Sequence, residues 1–268
     1  MRRVESYETL SRTASGYLRP GVSANVMITR EKLEESIAAG RLFMEADESN
    51  LWLAMRRESH VRLYFYLNDL RRPLDESFDL PAVAEIAFRG ETASLAALQD
   101  CLAQSGLEPA FQRVRLMRRP ERLPAENSVF VQQPSVESAR DFLEKNFSPL
   151  TGCLPTFSEI SARIADRQFL SLEDGKGVAG LIHTAPEKNG IEIRHLAVRE
   201  DRRGQGLAGS LVTACLLENP EKIFRVWVRE DYHSARQVYA KAGFGPDGWR
   251  SQVYQGQLQR ENIKEKEE

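Results

Sequence analysis

The stretch IEIRHLAVREDRRGQGLA, residues 191–208, decides the fold class of this chain. Apolar residues dominate Ile191–Val198, which predicts a β-strand, and the charged run Arg199–Arg203 must then leave the core. The residues Arg203–Ala208 contain two glycines and lead directly into a helix. A strand, a glycine-containing turn and a helix N-terminus in this order form an anion site, because the first N–H groups of a helix are unpaired and its dipole is positive there.

The helix that follows this turn supports the same interpretation. Its apolar residues recur at helical spacing, and they are Leu207, Leu211, Val212, Cys215 and Leu216. Its first turn has no acidic residue, which suits an anionic ligand. Gly204 and Gly206 let the backbone approach a bulky pyrophosphate closely.

The elements around this stretch predict an α/β unit in the second half of the chain. The further predicted strands are Val129–Val131, Gln168–Leu172, Val178–His183, Ile223–Val228 and Ser251–Tyr254. The further predicted helices are Val136–Phe147, Phe157–Ile164 and Ser234–Ala242, the last of which ends at Gly243.

The first half of the chain repeats part of this order. Its predicted elements are the strands Leu42–Met44, Leu51–Met55, Val61–Leu67 and Val83–Phe88 and the helix Leu95–Ala103. The segment Gln104–Pro109 resembles Lys241–Pro246, since both end a helix with glycine and enter a strand. The repeat indicates a diverged internal duplication, and chance reuse of a common α/β pattern is the alternative.

A charged segment with two prolines separates the halves. Arg118–Asn127 has little apolar content and is typical of a linker. We therefore expect a first domain over residues 1–125, a second over residues 126–258, and a disordered tail over the polar residues 259–268.

Composition excludes several functional classes. The 37 basic and 39 acidic residues nearly balance, which argues against a nucleic-acid partner. We see no signal peptide or membrane span, and the three cysteines lack CxxC spacing, so we expect a cytoplasmic protein without a metal site. The chain also lacks a P-loop for ATP and an early GxGxxG motif.

The turn Arg203–Ala208 resembles the acyl-CoA loop of the GNAT acyltransferase superfamily. That family's signature is Gln or Arg, two residues, Gly, one residue, then Gly or Ala, and Arg203, Gly206 and Ala208 meet it. The predicted strand before the loop and the helix, strand and helix after it also follow the family's order. The resemblance covers about residues 129–254.

The resemblance implies the fold class. It implies an α/β chain with two GNAT-like units, each a central, mostly antiparallel mixed sheet flanked by helices. Leu196 and Val198 hold the family's apolar strand positions. Neighbouring strands are expected to splay apart there, at the acyl-CoA site of the second unit.

The resemblance also implies how the co-substrate acetyl-CoA is bound. The pyrophosphate would lie on the backbone N–H groups of Arg203, Gly204, Gln205, Gly206, Leu207 and Ala208. The pantetheine arm would pair, like an added strand, with the backbone of Leu196, Ala197 and Val198. An N–H group at or near Leu196 would stabilise the oxyanion formed during acyl transfer.

The last predicted helix carries the expected general acid. In the family this helix has Asn, then Ala three residues later, then Tyr four residues further on. Ala235 and Tyr239 match this spacing, whereas Tyr232 stands at the Asn position. We expect Tyr239 to protonate the departing CoA thiolate, and Tyr232 and Ala235 to lie against the cofactor.

Two residues of the predicted strand compete as the general base. Glu192 lies four residues before Leu196, where several family members hold a base, and burial can tune a carboxylate towards neutral pH. His195 has the better ordinary pKa. Strict alternation along the strand places His195 on the face opposite Glu192, unless a β-bulge re-aims it.

The first half lacks the residues that this chemistry needs. The segment Asn68–Ser77, where a pyrophosphate loop is expected, has no glycine, contains Pro73 and carries acidic residues that repel phosphate. Leu102 stands where the repeat places Tyr239. We therefore expect a catalytically silent first unit that shapes the acceptor pocket or covers an edge of the active unit.

The sequence thus predicts an N-acetyltransferase that moves an acetyl group from acetyl-CoA to an amine of a small molecule or peptide by direct attack. A small-molecule acceptor is the first choice, and a protein N-terminus or lysine is the second. A non-catalytic acyl-CoA binding or sensing protein is the alternative, and a scaffold is the third. Arg163, Arg167, Arg194 and Arg225 could bind an acceptor carboxylate or be solvated. The oligomeric state stays open, a homodimer included.

Overall fold

A computed structural model of the protein describes residues 1–90, 94–121 and 131–258. The chain forms two compact units, of which the first takes the described residues of Met1–Gln112 and Ser251–Glu268 and the second takes Arg113–Arg250. Most of the expected linker, the domain boundary after residue 125, most of the predicted strand at Val129–Val131 and the tail 259–268 lie outside the described residues. These four expectations stay predictions.

The described residues form strands and helices in an alternating order. The strands are β1 (Arg2–Arg3), β2 (Ser23–Ala24), β3 (Leu42–Ala46), β4 (Asn50–Arg56), β5 (Val61–Leu67), β6 (Ala82–Arg89), β7 (Leu107–Arg118), β8 (Phe169–Asp174), β9 (Gly177–Glu187), β10 (Gly190–Val198), β11 (Phe224–Arg229) and β12 (Gly245–Gly256). The helices are α1 (Tyr7–Ser15), α2 (Arg30–Ala38), α3 (Ser94–Gln104), α4 (Val136–Asn146), α5 (Phe157–Ala165), α6 (Leu207–Glu218) and α7 (His233–Lys241).

The first unit is built on a mixed sheet whose neighbours follow the order β1-β3-β4-β5-β6-β12. The strands β3, β4 and β5 form the predicted antiparallel meander, and β5 pairs with β6 in parallel. Helices α1 and α2 were not predicted, because each is nine residues long and buries a single leucine, Leu10 and Leu33. Their N-caps, Ser6 and Thr29, are the signals that mark them.

The outer edge of β5 is covered by a segment of the same unit. Parallel pairing with β6 is limited to Val61–Ala82 and Arg62–Val83, and further along β5 the short strand β2 pairs with it instead. Between the two, the buried side chain of Asn25 donates to the Leu63 carbonyl at 3.1 Å and accepts from the Phe65 N–H at 2.7 Å. The backbone groups of this edge are therefore satisfied within the chain.

The loop after β5 is held by one buried amide. The Asn50 side chain donates to the carbonyls of Asp69 and Arg72, at 2.8 and 3.0 Å. Its Oδ1 accepts from the N–H groups of Asn68 and Asp69, both at 3.0 Å. Asn50 is 1% exposed, so these four hydrogen bonds replace water.

The second unit is a sheet with strand order β7-β11-β10-β9-β8, and its predicted strands and helices other than Val129–Val131 are found close to the expected residues. Helices α6 and α7 pack on one face around Leu211 and Val226, whereas α4 and α5 pack on the other around Phe142 and Leu181. Strand β12 starts at Gly245 rather than Ser251, because its first residues are the Gly-Pro-Asp-Gly run that usually marks a turn. The predicted fold class is confirmed.

The two units end their last described helix in the same way. The Gly106 N–H donates to Ala103 after α3, and the Gly243 N–H donates to Ala240 after α7. Each unit also has a short parallel pairing, β5 with β6 and β10 with β11. The described chain between β5 and β6 contains no counterpart of α6.

Replacing Asn50 with alanine should lower the free energy of unfolding by about 3 kcal/mol, because buried backbone groups of the loop lose their partners. Chemical denaturation of wild type and variant measures the change. Asn189→Ala, at an exposed turn, is the control and should change stability by less than about 0.5 kcal/mol. Equal effects of both substitutions would contradict the role given to Asn50.

Candidate active site

The strands β10 and β11 separate at the middle of the second unit. Their parallel pairing runs from Ile191–Phe224 to Ile193–Val226 and ends there within the described chain, although β10 continues to Val198. On its other side β10 stays paired with β9 through Val198. The separation leaves a strand edge at Leu196–Val198 that faces away from β9, as the splayed strands in the predicted fold class require.

A β-bulge at Arg194 decides which side chains of β10 share a face. The register with β9 passes from Ile193–Thr184 to His195–His183, so Arg194 is the extra residue. Because Glu192 pairs with Ala185 and His195 pairs with His183, two residues apart on β9, both candidate bases point to the face covered by α4 and α5. The bulge therefore overrides strict alternation.

The candidate base Glu192 is 7% exposed and forms an ion pair. The Arg194 guanidinium lies 2.7 Å from its Oε2, and the Arg194 side chain is 47% exposed. A nearly buried carboxylate thus meets a solvent-accessible cation at the rim of this face.

The loop from Arg203 to Ala208 has the backbone geometry of an anion site. A short 3-10 helix, Glu200–Arg202, carries the chain out of β10. Gly204 and Gly206 adopt positive φ angles of 77° and 80°, and an added Cβ would meet no atom within 4 Å at either position. Gly206 is the N-cap of α6, whose first turn contains no acidic residue and receives no side-chain cap. The first N–H groups of α6 are therefore available to an anion.

Ion pairs hold the segment just before this loop in place, and the sequence did not indicate these ion pairs. Asp174 at the end of β8 accepts from Arg199 and Arg202, both at 2.7 Å. Arg199 also donates to Asp201 at 2.6 Å. Hydrogen bonding from Arg199 lowers the pKa of the Asp174 carboxyl well below its usual range, so the network stays charged at neutral pH.

Tyr239 and Ala235 lie on α7 beside the α6 face of the sheet. Tyr239 is 4% exposed and its ring meets Phe244 edge to face at 5.4 Å. Burial raises the pKa of its phenol, which keeps the hydroxyl protonated at neutral pH. Ala235 and Leu196 pack against the same apolar cluster. Glu192 and Tyr239 therefore lie on opposite faces of the sheet.

Tyr232 lies at the start of α7 and is 53% exposed. Its ring stacks under the Arg229 guanidinium at 4.5 Å, and its side chain does not cap the helix. The residue that departs from the family pattern is thus a solvent-facing surface group.

A chain of hydrogen bonds joins Arg163, His183, His195 and the Gly152 carbonyl, and the sequence did not predict it. The Nδ1 atoms of His183 and His195 are 2.9 Å apart, and their rings stack with centroids 5.2 Å apart. Arg163 Nη1 lies 3.3 Å from His183 Nε2, and His195 Nε2 lies 2.7 Å from the Gly152 carbonyl oxygen.

The two ends of this chain fix the tautomers. Arginine can only donate and a carbonyl can only accept, so His183 carries its proton on Nδ1 and His195 carries its proton on Nε2. Burial lowers the pKa of His183 to about 2 and that of His195 to about 4. Both rings are therefore neutral, and His195 serves as an anchor for the Gly152 loop in place of the base role considered for it. The pairing of two strand histidines depends on the register of β9 with β10, which local sequence does not show.

The described residues lack two features, a metal-binding cluster and a membrane-spanning helix. Among residues 1–90, 94–121 and 131–258, no group of three or more His, Cys, Asp or Glu side chains could hold a metal ion. No helix of these residues is both long and apolar enough to cross a membrane.

Comparison with known proteins identifies the second unit. Residues 140–256 match the family model described as "Acetyltransferase (GNAT) domain". This part of the chain therefore matches the GNAT acetyltransferase family, as its loop motif predicted. No curated protein matches the chain.

Solved structures support the same fold over most of the chain. The GCN5-related N-acetyltransferase from Sphaerobacter thermophilus has a TM-score of 0.57 at 14% identity, over 87% of both chains. The GNAT-family acetyltransferase from Colwellia psychrerythraea has a TM-score of 0.57 at 12% identity, over 96% of this chain and 99% of that one. The tandem GNAT protein from the clavulanic acid biosynthesis pathway has a TM-score of 0.50 at 13% identity, over 82% of this chain and 84% of that one. Identities this low concern the fold alone.

The neutral histidines make stability depend on pH. Their folded pKa values lie below the ordinary value of 6.5, so the unfolded chain binds more protons below that pH. Each histidine should cost the folded state about 2 kcal/mol between pH 7 and pH 5. Denaturant unfolding of wild type and His195→Asn at both pH values measures the difference.

The wild type should lose more stability on acidification than His195→Asn, by about 2 kcal/mol. His60 of the first unit also has a lowered pKa, about 4, but it contributes equally to both proteins. Equal losses in the two proteins would contradict the neutral, buried assignment of His195.

Proposed function

We propose that the protein is an N-acetyltransferase that transfers the acetyl group of acetyl-CoA to a primary amine, with its single acyl-CoA site in the second unit. The observation that carries this proposal is the separation of β10 from β11 beside the uncapped N-terminus of α6. The free strand edge and the free helix N–H groups are the two kinds of partner that a pantetheine amide chain and a pyrophosphate need.

The residues present fit this ligand. The backbone of Leu196, Ala197 and Val198 offers the amide edge, and the exposed loop Arg203–Gly206 with Leu207 and Ala208 offers the anion site. Positive-φ glycines without steric neighbours leave space beside the loop backbone. Ala235 and Tyr232 are assigned to the same binding surface, with Tyr232 as a rim contact because it faces solvent.

We assign proton transfer to one residue on each face of the sheet. Glu192 accepts a proton from the acceptor ammonium group, and the neutral amine attacks the thioester carbon. A new C–N bond forms, the C–S bond breaks, and Tyr239 donates a proton to the leaving sulfur. The second N–H proton of the amine replaces the one that Tyr239 gave, and the proton on Glu192 passes to solvent, which balances the reaction. The N–H group near Leu196 is assigned to the developing oxyanion.

The first unit is assigned no acyl-CoA. Its equivalent strand edge, on β5, is already paired with β2 and with the Asn25 side chain. The N–H groups of Asn68 and Asp69, at the start of the equivalent loop, donate to Asn50. Leu102, which stands in place of a tyrosine, is fully buried in the core. These observations support the proposal of a silent unit.

The free cysteines support a proposal about the cellular setting. Cys101 and Cys215 are buried free cysteines, and Cys153 is exposed. We propose that the protein works in the cytoplasm, where an exposed thiol stays reduced.

A negative charge on the first turn of α6 should weaken acyl-CoA binding without destabilising the helix. Ala208→Glu is favourable for the helix dipole but repels the pyrophosphate, whereas Ala208→Gln has the same size and no charge. Calorimetric titration with acetyl-CoA should give one site per wild-type chain. The dissociation constant of Ala208→Glu should be at least ~10-fold larger than that of Ala208→Gln. Two sites per chain, or equal affinities of the variants, would contradict the assignment.

Removing the Tyr239 hydroxyl should reduce kcat by about 100-fold and leave acetyl-CoA affinity unchanged, because the leaving thiolate loses its proton donor. CoA release across a panel of primary amines measures the rate for wild type and Tyr239→Phe. Tyr254→Phe is the matched control, since Tyr254 is also buried and its hydroxyl has no hydrogen-bond partner among described residues. Acetyl-CoA binding without turnover of any amine would favour the sensing protein instead.

A further inference from the structure

The four arginines that could meet an acceptor carboxylate separate into two pairs. Arg167 is bound to Glu218 at 2.9 Å, and Arg225 is bound to Glu187 at 2.7 Å. Arg163 and Arg194 instead lie beside the two histidines and Glu192, with Arg163 at 3.3 Å from His183 Nε2 and Arg194 at 2.7 Å from Glu192. Arg225 lies on the same face, because it is the register partner of Glu192, but it is bound to Glu187. This face is the one on which the proposed function places the acceptor.

Arg163 lies near Arg194, because its Nη1 is 3.3 Å from His183 Nε2 and His183 is paired with His195, the residue that follows Arg194. Burial lowers the pKa of the Arg163 guanidinium, Glu159 opposes this shift, and the charge of Arg194 lowers the pKa further. The charges of Arg194 and Arg163 both lower the pKa values of His183 and His195 as well. Each of the two cations already has a carboxylate partner, Glu159 at 3.5 Å for Arg163 and Glu192 at 2.7 Å for Arg194. An acceptor carboxylate would therefore replace Glu192 at Arg194 and lie beside Arg163.

The ion pair between Glu192 and Arg194 places a carboxylate beside a guanidinium group. These two charges are complementary to the ammonium and carboxylate groups of an amino acid. An incoming amine without a carboxylate would pair with Glu192. The Arg194 guanidinium, near Arg163, would then lose its carboxylate partner. An acceptor that carries both an ammonium group and a carboxylate would replace both partners, ammonium to Glu192 and carboxylate to Arg194. The Arg194 side chain is 47% exposed and its long stem allows this exchange.

We propose that the acceptor is an amine that also carries a carboxylate, bound by Arg194 and Arg163 while Glu192 binds its ammonium group. This inference rests on the proposed acetyltransferase function and narrows its substrate class. A carboxylate is favoured over other anions because Arg194 already binds a carboxylate, that of Glu192, in the same position.

The test compares matched acceptors in one assay. CoA release from acetyl-CoA is measured with a panel of L-α-amino acids, with their carboxamides, and with the amines that remain when the carboxylate is removed. For the accepted side chains, wild-type kcat/KM should be ~10–100-fold higher for the acid than for the carboxamide. Arg194→Gln should reduce this ratio to within about threefold by raising KM for the acid.

Arg163→Gln should reduce the ratio in the same direction, and Arg163→Lys, which keeps the charge, should restore part of it. Arg167→Gln is the control and should leave the ratio and the rates unchanged, because Arg167 is engaged by Glu218. A wild type that accepts carboxamides and plain amines as well as acids would overturn the inference and leave the proposed function intact. A preference for acids that survives both Arg194→Gln and Arg163→Gln would overturn the assignment of the site. Binding of acetyl-CoA without turnover of any panel member would overturn the proposed function and this inference together.

Discussion

The candidate site of the second unit depends on one constraint, which is that strand β10 separates from β11 before β10 ends. Strand β10 loses β11 after Ile193 but continues to Val198, so its last five residues have no strand partner on that side within the described chain. Buried or half-buried amide groups need partners, and water or a peptide-like ligand must supply them. Glu192 lies on one face of the sheet beside this gap in the strand pairing, and the Tyr239 cluster lies on the other face. Under the proposed function, an amine on the Glu192 face attacks a thioester that lies in the gap.

The first unit has the same early separation of two strands, but there other residues of the unit pair with the exposed strand edge. There β5 loses β6 after Arg62, and the residues that follow are paired by β2 and by the Asn25 amide. The loop that follows donates its first N–H groups to Asn50, where the second unit keeps its α6 N–H groups uncapped. One architecture thus supports an open ligand edge in one unit and a closed, internally satisfied edge in the other.

Local sequence was enough for the parts of the site that local physics controls. The strand, the two glycines and the uncapped helix follow from residues 191–216, because glycine conformation and helix ends depend on neighbouring residues. The bulge at Arg194, the stacking of His183 on His195 and the support of the loop by Asp174 depend on the pairing of β8, β9 and β10. Such register is set by contacts between distant segments, so the sequence left the face of His195 undecided. Helices α1 and α2 were missed for a different reason, because each is nine residues long and buries a single leucine, so its apolar period is short.

Hydrogen exchange of the full chain with and without acetyl-CoA tests the central claim most directly. The account predicts that acetyl-CoA slows amide exchange in two segments of the second unit, Leu196–Val198 and Gly204–Gly209. Exchange at Phe65–Leu67 and in the loop after β5 should stay as it is without ligand, because those groups already have partners. Protection of the β5 edge, or binding of acetyl-CoA with unchanged exchange along β10, would contradict the account.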